Sequence, residues 1–304
     1  MKKSFKTLLA AAFILVGATA LAGELKVGAT PVPHAELLNL VKEDLKTEGV
    51  DLKVVEFTDY VTPNLALAEG ELDANFFQHF PYLEKFSNER GLNLVSAGKV
   101  HVEPLGVFSQ KIKDIKDLSN KATIAIPSDP SNGGRALILL HNNGIIKLND
   151  PTNLYVTEFD IVENPKKLKF KPIEAAQLPR VLPDVEAAVI NGNYALEAGF
   201  SPVEDSLLLE GAESPYANII AVKSGDESKE DIQKLLKALQ SKNISGIIMI
   251  LEEVVINAMS FYDSNTKYEN PYQMLLGGFL YGLDDFYEMK PNPEAGDGRA
   301  DIIL

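Results

Sequence analysis

Three stretches of this chain gather side chains able to hold a small polar molecule. The densest is Asp73-Ala74-Asn75-Phe76-Phe77-Gln78-His79-Phe80-Pro81-Tyr82-Leu83, where aromatic rings alternate with amides, an imidazole and a proline. A buried strand would be apolar throughout, and an exposed helix face would not carry so many rings. The run therefore reads as the wall of a pocket, although the same rings would also serve a core.

The second stretch is Pro127-Ser128-Asp129-Pro130-Ser131-Asn132-Gly133-Gly134-Arg135, between a strand pattern at Thr123 to Ile126 and a helical run at Ala136 to His141. Such a loop leaves backbone N–H groups free at a helix start, where negative charge is favoured. Arg135 adds a planar fork of donors that suits a carboxylate; a capped helix with a surface arginine would have the same sequence. The segment lacks the Gly-Lys-Ser/Thr ending of a Walker loop. Amides form the third group: Asn191-Gly192-Asn193-Tyr194-Ala195 follows the apolar strand Val185 to Ile190, and Asn218 precedes the strand Ile219 to Val222.

No catalytic centre is predicted. His34, His79, His101 and His141 are scattered and outside any His-Glu-x-x-His pattern, so no metal site is expected, and Gly-x-Ser-x-Gly is absent. The parts fit capture of an α-amino acid without a cofactor. Arg135 would clamp the carboxylate, Asn193 and Asn218 would hold the polar end through their carbonyls, and Tyr60, Phe77, His79 and Tyr82 would wrap an apolar side chain.

These residues need a scaffold of two α/β domains. The strand Leu25 to Ala29, a helix with Leu37, Leu38, Val41 and Leu45 on one face, and the strand Asp51 to Phe57 open a doubly wound sheet, with Tyr60 just beyond a strand's carboxyl end. Glu103-Pro104-Leu105-Gly106 has the proline and glycine of a hinge, so a second domain starts there, and Ile219 to Val222 reads as the return crossing before a helix at Lys229 to Leu239. The expected division is residues 23–105 with 219–243 as the first domain and 106–218 as the second. The tail, 244–304, is set apart, with an interfacial helix at Ile247 to Met259 and a loosely structured acidic run from Tyr281.

Residues 1–22 have a signal peptide's three regions: Lys2, Lys3 and Lys6, an apolar stretch from Leu8 to Val16, then Ala20-Leu21-Ala22. Removing them takes the formal charge from −14 to −17, which disfavours nucleic acid or an anionic membrane as partner. The absence of cysteine excludes thiol catalysis and thiolate metal sites.

The motifs Asp59-Tyr60-Val61-Thr62-Pro63-Asn64, Asp73 to His79, Pro81-Tyr82-Leu83, Pro127 to Leu137 and Asn193-Tyr194-Ala195 resemble the NlpA-type lipoprotein family, the methionine-binding components of ABC importers. The resemblance runs from about Leu25 to about Asn243. It implies a bilobal periplasmic-binding-protein fold of type II-like architecture, its two α/β domains joined by two crossing strands. It also implies a monomer that delivers methionine to a membrane permease and its ATPase. By that resemblance Arg135 is the carboxylate ligand, Asn193 and Asn218 hold the polar end, Tyr60, Phe77, His79 and Tyr82 surround the thioether, and Asn132 is a further contact. Where members carry Leu-Ala-Gly-Cys for lipid attachment, this chain has Leu21-Ala22-Gly23-Glu24, so a freely soluble periplasmic protein is expected. The tail does not resemble the family's C-terminus; a frameshift, an altered end or an extension would each look like this. Another small amino acid, a dipeptide, or a surface adhesin role are the alternatives.

Overall fold

The computed structural model describes residues 23–211 and 214–241, together with two short paired strands at 290–291 and 300–301. The expected signal peptide and the predicted helix Ile247 to Met259 lie outside the described residues.

In chain order the strands are β1 (Gly23–Ala29), β2 (Val50–Glu56), β3 (Ala74–His79), β4 (Leu94–Val102), β5 (Gly106–Phe108), β6 (Thr123–Pro127), β7 (Lys147–Leu148), β8 (Ile161–Glu163), β9 (Lys169–Ile173), β10 (Ala187–Ile190), β11 (Ser206–Leu209) and β12 (Ala217–Lys223). The helices are α1 (Glu36–Thr47), α2 (Thr62–Glu69), α3 (Phe80–Arg90), α4 (Pro130–Asn142), the short α5 (Leu178–Val181), α6 (Gly192–Glu197), α7 (Pro202–Asp205), and α8 at 230–241.

Two five-stranded sheets result, in the orders β2-β1-β3-β12-β4 and β11-β5-β10-β6-β9. In the first, β1 pairs in parallel with β2 and β3, and the returning β12 inserts antiparallel between β3 and β4. The chain leaves this sheet between β4 and β5 and comes back between β11 and β12, which makes the two expected crossings. Asn218 is the exception to the predicted layout. It was expected on the second domain, but it lies on β12 in the first sheet, opposite His79 and His101.

Each lobe has its own core. Leu37, Leu38, Val41 and Leu45 of α1 join Ile232, Leu235, Leu236 and Leu239 of α8 over the first sheet, as their helical spacing predicts. Ala136, Leu137, Leu139 and Leu140 of α4 pack on the second with Ile124, Val107 and Val189. A third cluster crosses between lobes: Tyr60, Phe77, Tyr82 and Phe86 from the first meet Phe108, Leu178, Ile190 and Tyr194 from the second.

Two local devices aim the site. Helix α4 starts at Pro130, earlier than its apolar run suggests, because Asp129 caps it by accepting the Asn132 N–H at 2.8 Å. A Cβ on Gly134 would fall on the carbonyl oxygen of Leu154, so glycine lets that first turn lie against the 154–155 backbone. On the other lobe, the buried polar residues of β3 and α2 satisfy one another. Asn64 donates to Gln78 Oε1 at 2.8 Å, while its own carbonyl accepts from Asn75 at 2.8 Å and from Gln78 at 2.7 Å. Asn75 also donates to the Pro63 carbonyl at 3.2 Å, tying the start of α2 to the strand beneath. Replacing Asn64 with alanine strands several buried partners at once and is expected to cost about 2–4 kcal/mol of unfolding free energy in urea titrations. A loss below about 0.5 kcal/mol would show that the network can close without it.

Candidate functional site

All eight residues proposed from the sequence line one cavity between the lobes: Tyr60, Phe77, His79, Tyr82, Asn132, Arg135, Asn193 and Asn218. Gln78, Glu103, Asn191 and Gly192 complete its lining.

Arg135 is 3% exposed, and its surroundings set which edge faces the cavity. Nε donates to both carboxylate oxygens of Glu210, at 3.0 and 3.1 Å, and Nη2 pairs with Glu210 and donates to the Glu103 carbonyl at 2.7 Å. The Tyr216 ring lies against the guanidinium, 4.4 Å from centroid to Cζ. Among the described residues, Nη1 has no protein hydrogen-bond partner. It is the donor of this cavity-lining side chain still available.

Glu103 supplies the opposite charge. It sits just past β4 and is 8% exposed. Oε1 accepts from His101 Nε2 at 2.7 Å, His34 Nε2 at 3.0 Å and Asn218 Nδ2 at 2.9 Å. Because the ionised Glu103 can only accept, His34 Nε2 is the donor to it, and the Thr30 hydroxyl lies 2.7 Å from the other ring nitrogen, Nδ1. Burial raises the Glu103 carboxyl's pKa, but the imidazoles overcome it and hold the group well below the usual carboxylate range, so it is an anion. Histidines scattered in sequence thus meet in space: the His34 and His101 rings are 5.4 Å apart, and their nitrogens with the Glu103 oxygen lie within 4.8 Å, a spacing a metal could span. Direct hydrogen bonds to Glu103 account for the cluster as a carboxylate solvated by imidazoles.

The remaining polar groups join the lobes. Tyr60 donates its hydroxyl to Asn193 Oδ1 at 2.5 Å, so that carbonyl, predicted to face the ligand, is taken. Among the described residues the buried Asn193 Nδ2 has no partner, and neither has Asn191 Oδ1. Asn193 therefore offers a donor, and Asn191 an acceptor. His79 caps α3, accepting the Tyr82 N–H through Nδ1 at 3.2 Å, so Nε2 carries the proton and donates to Asn132 Oδ1 across the cleft at 3.1 Å. Asn191 Nδ2 reaches the same Asn132 oxygen at 2.9 Å. Tyr60, Phe77 and Tyr82 form the apolar wall and Tyr194 packs behind Tyr60, whose ring centroid lies 4.9 to 5.8 Å from the other three. At the rim, Tyr194 donates to the Thr58 carbonyl and Tyr155 to the Pro81 carbonyl, both at 3.2 Å.

Asn191 belongs to the third amide stretch but carried no assigned role there, and Glu103 and Glu210 were not foreseen. The hinge signal around Pro104 pointed at Glu103, whereas nothing local marks Glu210, an acidic residue after an apolar strand.

Two α/β lobes with two crossings and a lined cavity between them define a bilobal periplasmic-binding-protein fold. The chain belongs to the NlpA lipoprotein family, whose sequence model matches residues 25–255. That match continues past Asn243, into the segment expected to diverge. The chain is 42% identical to the probable D-methionine-binding lipoprotein MetQ of Pasteurella multocida, covering 73% of this chain and 81% of the relative. It is 40% identical to the D-methionine-binding lipoprotein MetQ of Escherichia coli, covering 80% and 94%. A nutrient-binding protein from Burkholderia cenocepacia, solved bound to methionine, superposes with a TM-score of 0.69 at 50% identity, covering 71% and 91%. Two of these relatives are named lipoproteins, and the free solubility expected from Glu24 finds no support in them. No helix among the described residues is long and apolar enough to cross a membrane.

Burial lowers the His79 pKa from 6.5 to about 3, with the Arg135 charge adding to the effect, and burial also lowers that of His101. As the pH falls below the ordinary histidine value, the unfolded chain takes up these protons first. Stability is therefore full above about pH 6.5 and declines as the pH falls toward the folded value. Unfolding free energy is expected to fall between about pH 7 and pH 5, and His79→Asn to remove part of that slope. An unchanged slope in the variant would trace the acid sensitivity to other groups.

Proposed function

We propose that this chain is the extracytoplasmic substrate-binding component of an ABC importer and that it takes L-methionine, or a close analogue, into the interlobe cavity. The observation that carries this reading is the nearness of two buried opposite charges. Arg135 Nη2 is hydrogen-bonded to the carbonyl of Glu103, the residue whose carboxylate lies in the same cavity. A ligand meeting both needs its carboxylate and ammonium on one α-carbon. A dipeptide moves them apart by a further residue of about 3.5 Å. In this arrangement Arg135 and the Asn193 amide hold the carboxylate, Glu103 and Asn191 accept from the ammonium, and Tyr60, Phe77, His79 and Tyr82 take the thioether side chain. Asn218 orients Glu103, and Asn132 braces the lobes.

The names of the relatives support methionine, and their D-methionine designation makes both enantiomers worth measuring. Binding without turnover fits these groups, all of which recognise charge and shape. We assign 23–105 with the returning β12 and α8 to one moving lobe and 106–211 to the other, with closure bringing Asn193 to Tyr60 and Asn132 to His79. A monomeric, exported protein that docks on a permease with its ATPase follows from this reading.

Calorimetric titration of the purified protein with the standard amino acids and D-methionine is expected to show heat for methionine at micromolar concentration, and silence there would sink the assignment. Arg135→Ala should weaken methionine binding by roughly 100-fold or more, because it leaves the ligand carboxylate buried and unpaired. Glu103→Gln should weaken it by roughly 10-fold or more while sparing the 2-hydroxy analogue, which has no ammonium. Equal losses for both ligands would remove Glu103 from the ammonium site.

A further inference from the structure

Glu210 lies just beyond β11 and outside the cavity lining, yet it pairs with the buried Arg135. Its side chain is 14% exposed, and that of Arg135 4%. The pairing is side-on: both carboxylate oxygens receive Nε, and Oε2 also receives Nη2. The planar guanidinium can re-aim by turning about its Cδ–Nε bond, and held by this edge it cannot do so without breaking the charged pair, while Tyr216 covers one face. Nη1 is thereby fixed as the end presented to the cavity.

The same carboxylate is tied to the hinge. Glu210 Oε2 accepts the Leu105 N–H at 3.2 Å, and the Glu210 N–H donates to the Leu105 carbonyl at 2.9 Å, so the two crossing segments lie bonded side by side. Arg135 itself donates to the Glu103 carbonyl, two residues earlier on the first crossing. An arginine carried by α4 of the second lobe thus rests on both strands that connect the lobes.

We propose that Glu210 is a positioning residue for ligand capture: it turns the Arg135 guanidinium so that Nη1 meets the ligand carboxylate, and it registers that guanidinium to both hinge crossings. This rests on the reading of the cavity as an amino-acid site. Glu210 makes no contact with the ligand in this arrangement. Its effect is therefore confined to the carboxylate end.

The test compares methionine with methioninamide, which keeps the ammonium and thioether but has no carboxylate. Glu210→Ala is expected to weaken methionine ~10- to 100-fold and methioninamide less than about 2-fold. Glu210→Gln, which retains an acceptor, should recover part of the loss. With Arg135→Ala as background, the Glu210 substitutions should shift methionine affinity by less than about 2-fold. Equal loss for both ligands would mean a general structural role and overturn the proposal. Tighter methionine binding would also overturn it, because Glu210 would then compete with the ligand.

An NMR readout without ligand separates this proposal from the function it rests on. The Arg135 Nε–H resonance should be slow to exchange in the parent protein and broadened or lost in Glu210→Ala, provided thermal unfolding shows the variant folded. If the parent binds no methionine but this signal behaves as stated, the positioning role stands and the ligand assignment falls. A protected Nε–H in the variant would end the positioning role.

Discussion

Everything in the cleft answers to the cost of keeping charge away from water. A guanidinium or carboxylate moved into a protein interior loses several kcal/mol of solvation unless hydrogen bonds and opposite charge replace it. Arg135 gets that replacement from Glu210, the Glu103 carbonyl and the Tyr216 face; Glu103 gets it from His34, His101 and Asn218. These partners come from four stretches of chain, the residues just before α1, the end of β4, the residue just past β11 and the start of β12, so the two charges dictate where those stretches must meet. The glycine that lets α4 lie against the 154–155 backbone, and the register that sets Asn218 opposite His79 and His101, serve that requirement.

The lobes are joined with the same economy. Tyrosine hydroxyls make hydrogen bonds across the gap at Asn193, Thr58 and Pro81, while the Tyr60 and Tyr194 rings contribute to the apolar contact around them. Tyrosine suits a surface that is dry when shut and wet when open, since its body is apolar and its tip keeps a partner in either state. His79 differs in kind: both ring nitrogens are used, one within its own lobe and one across the cleft, so it acts as a neutral strut.

Much of this was legible in the sequence, for physical reasons that also explain the misses. The apolar period of Leu37, Leu38, Val41 and Leu45 announced α1, and the amide and arginine clusters at strand ends were legible because a doubly wound sheet puts its ligands there. The start of α4 was placed late because Gly133 and Gly134 are poor helix formers, and only the Asp129 cap and close packing against 154–155 show why they are helical. Asn218 was given to the wrong side, since nothing local to a crossing strand tells which sheet it will enter. Glu103 and Glu210 look like ordinary solvent-facing acids until the fold brings histidines to one and an arginine to the other. Their meaning is entirely non-local.

The aromatic seam shared by Phe77, Tyr82, Leu178, Ile190 and Tyr194 has a thermodynamic consequence. Closing the lobes removes apolar surface from water and opening returns it, so the opening equilibrium carries a positive heat capacity of its own, separate from that of unfolding. The drive to close therefore fades on cooling. In the proposed cycle of capture and release, this seam couples the balance of shut and open lobes to temperature, so that the cold protein spends more of its time open.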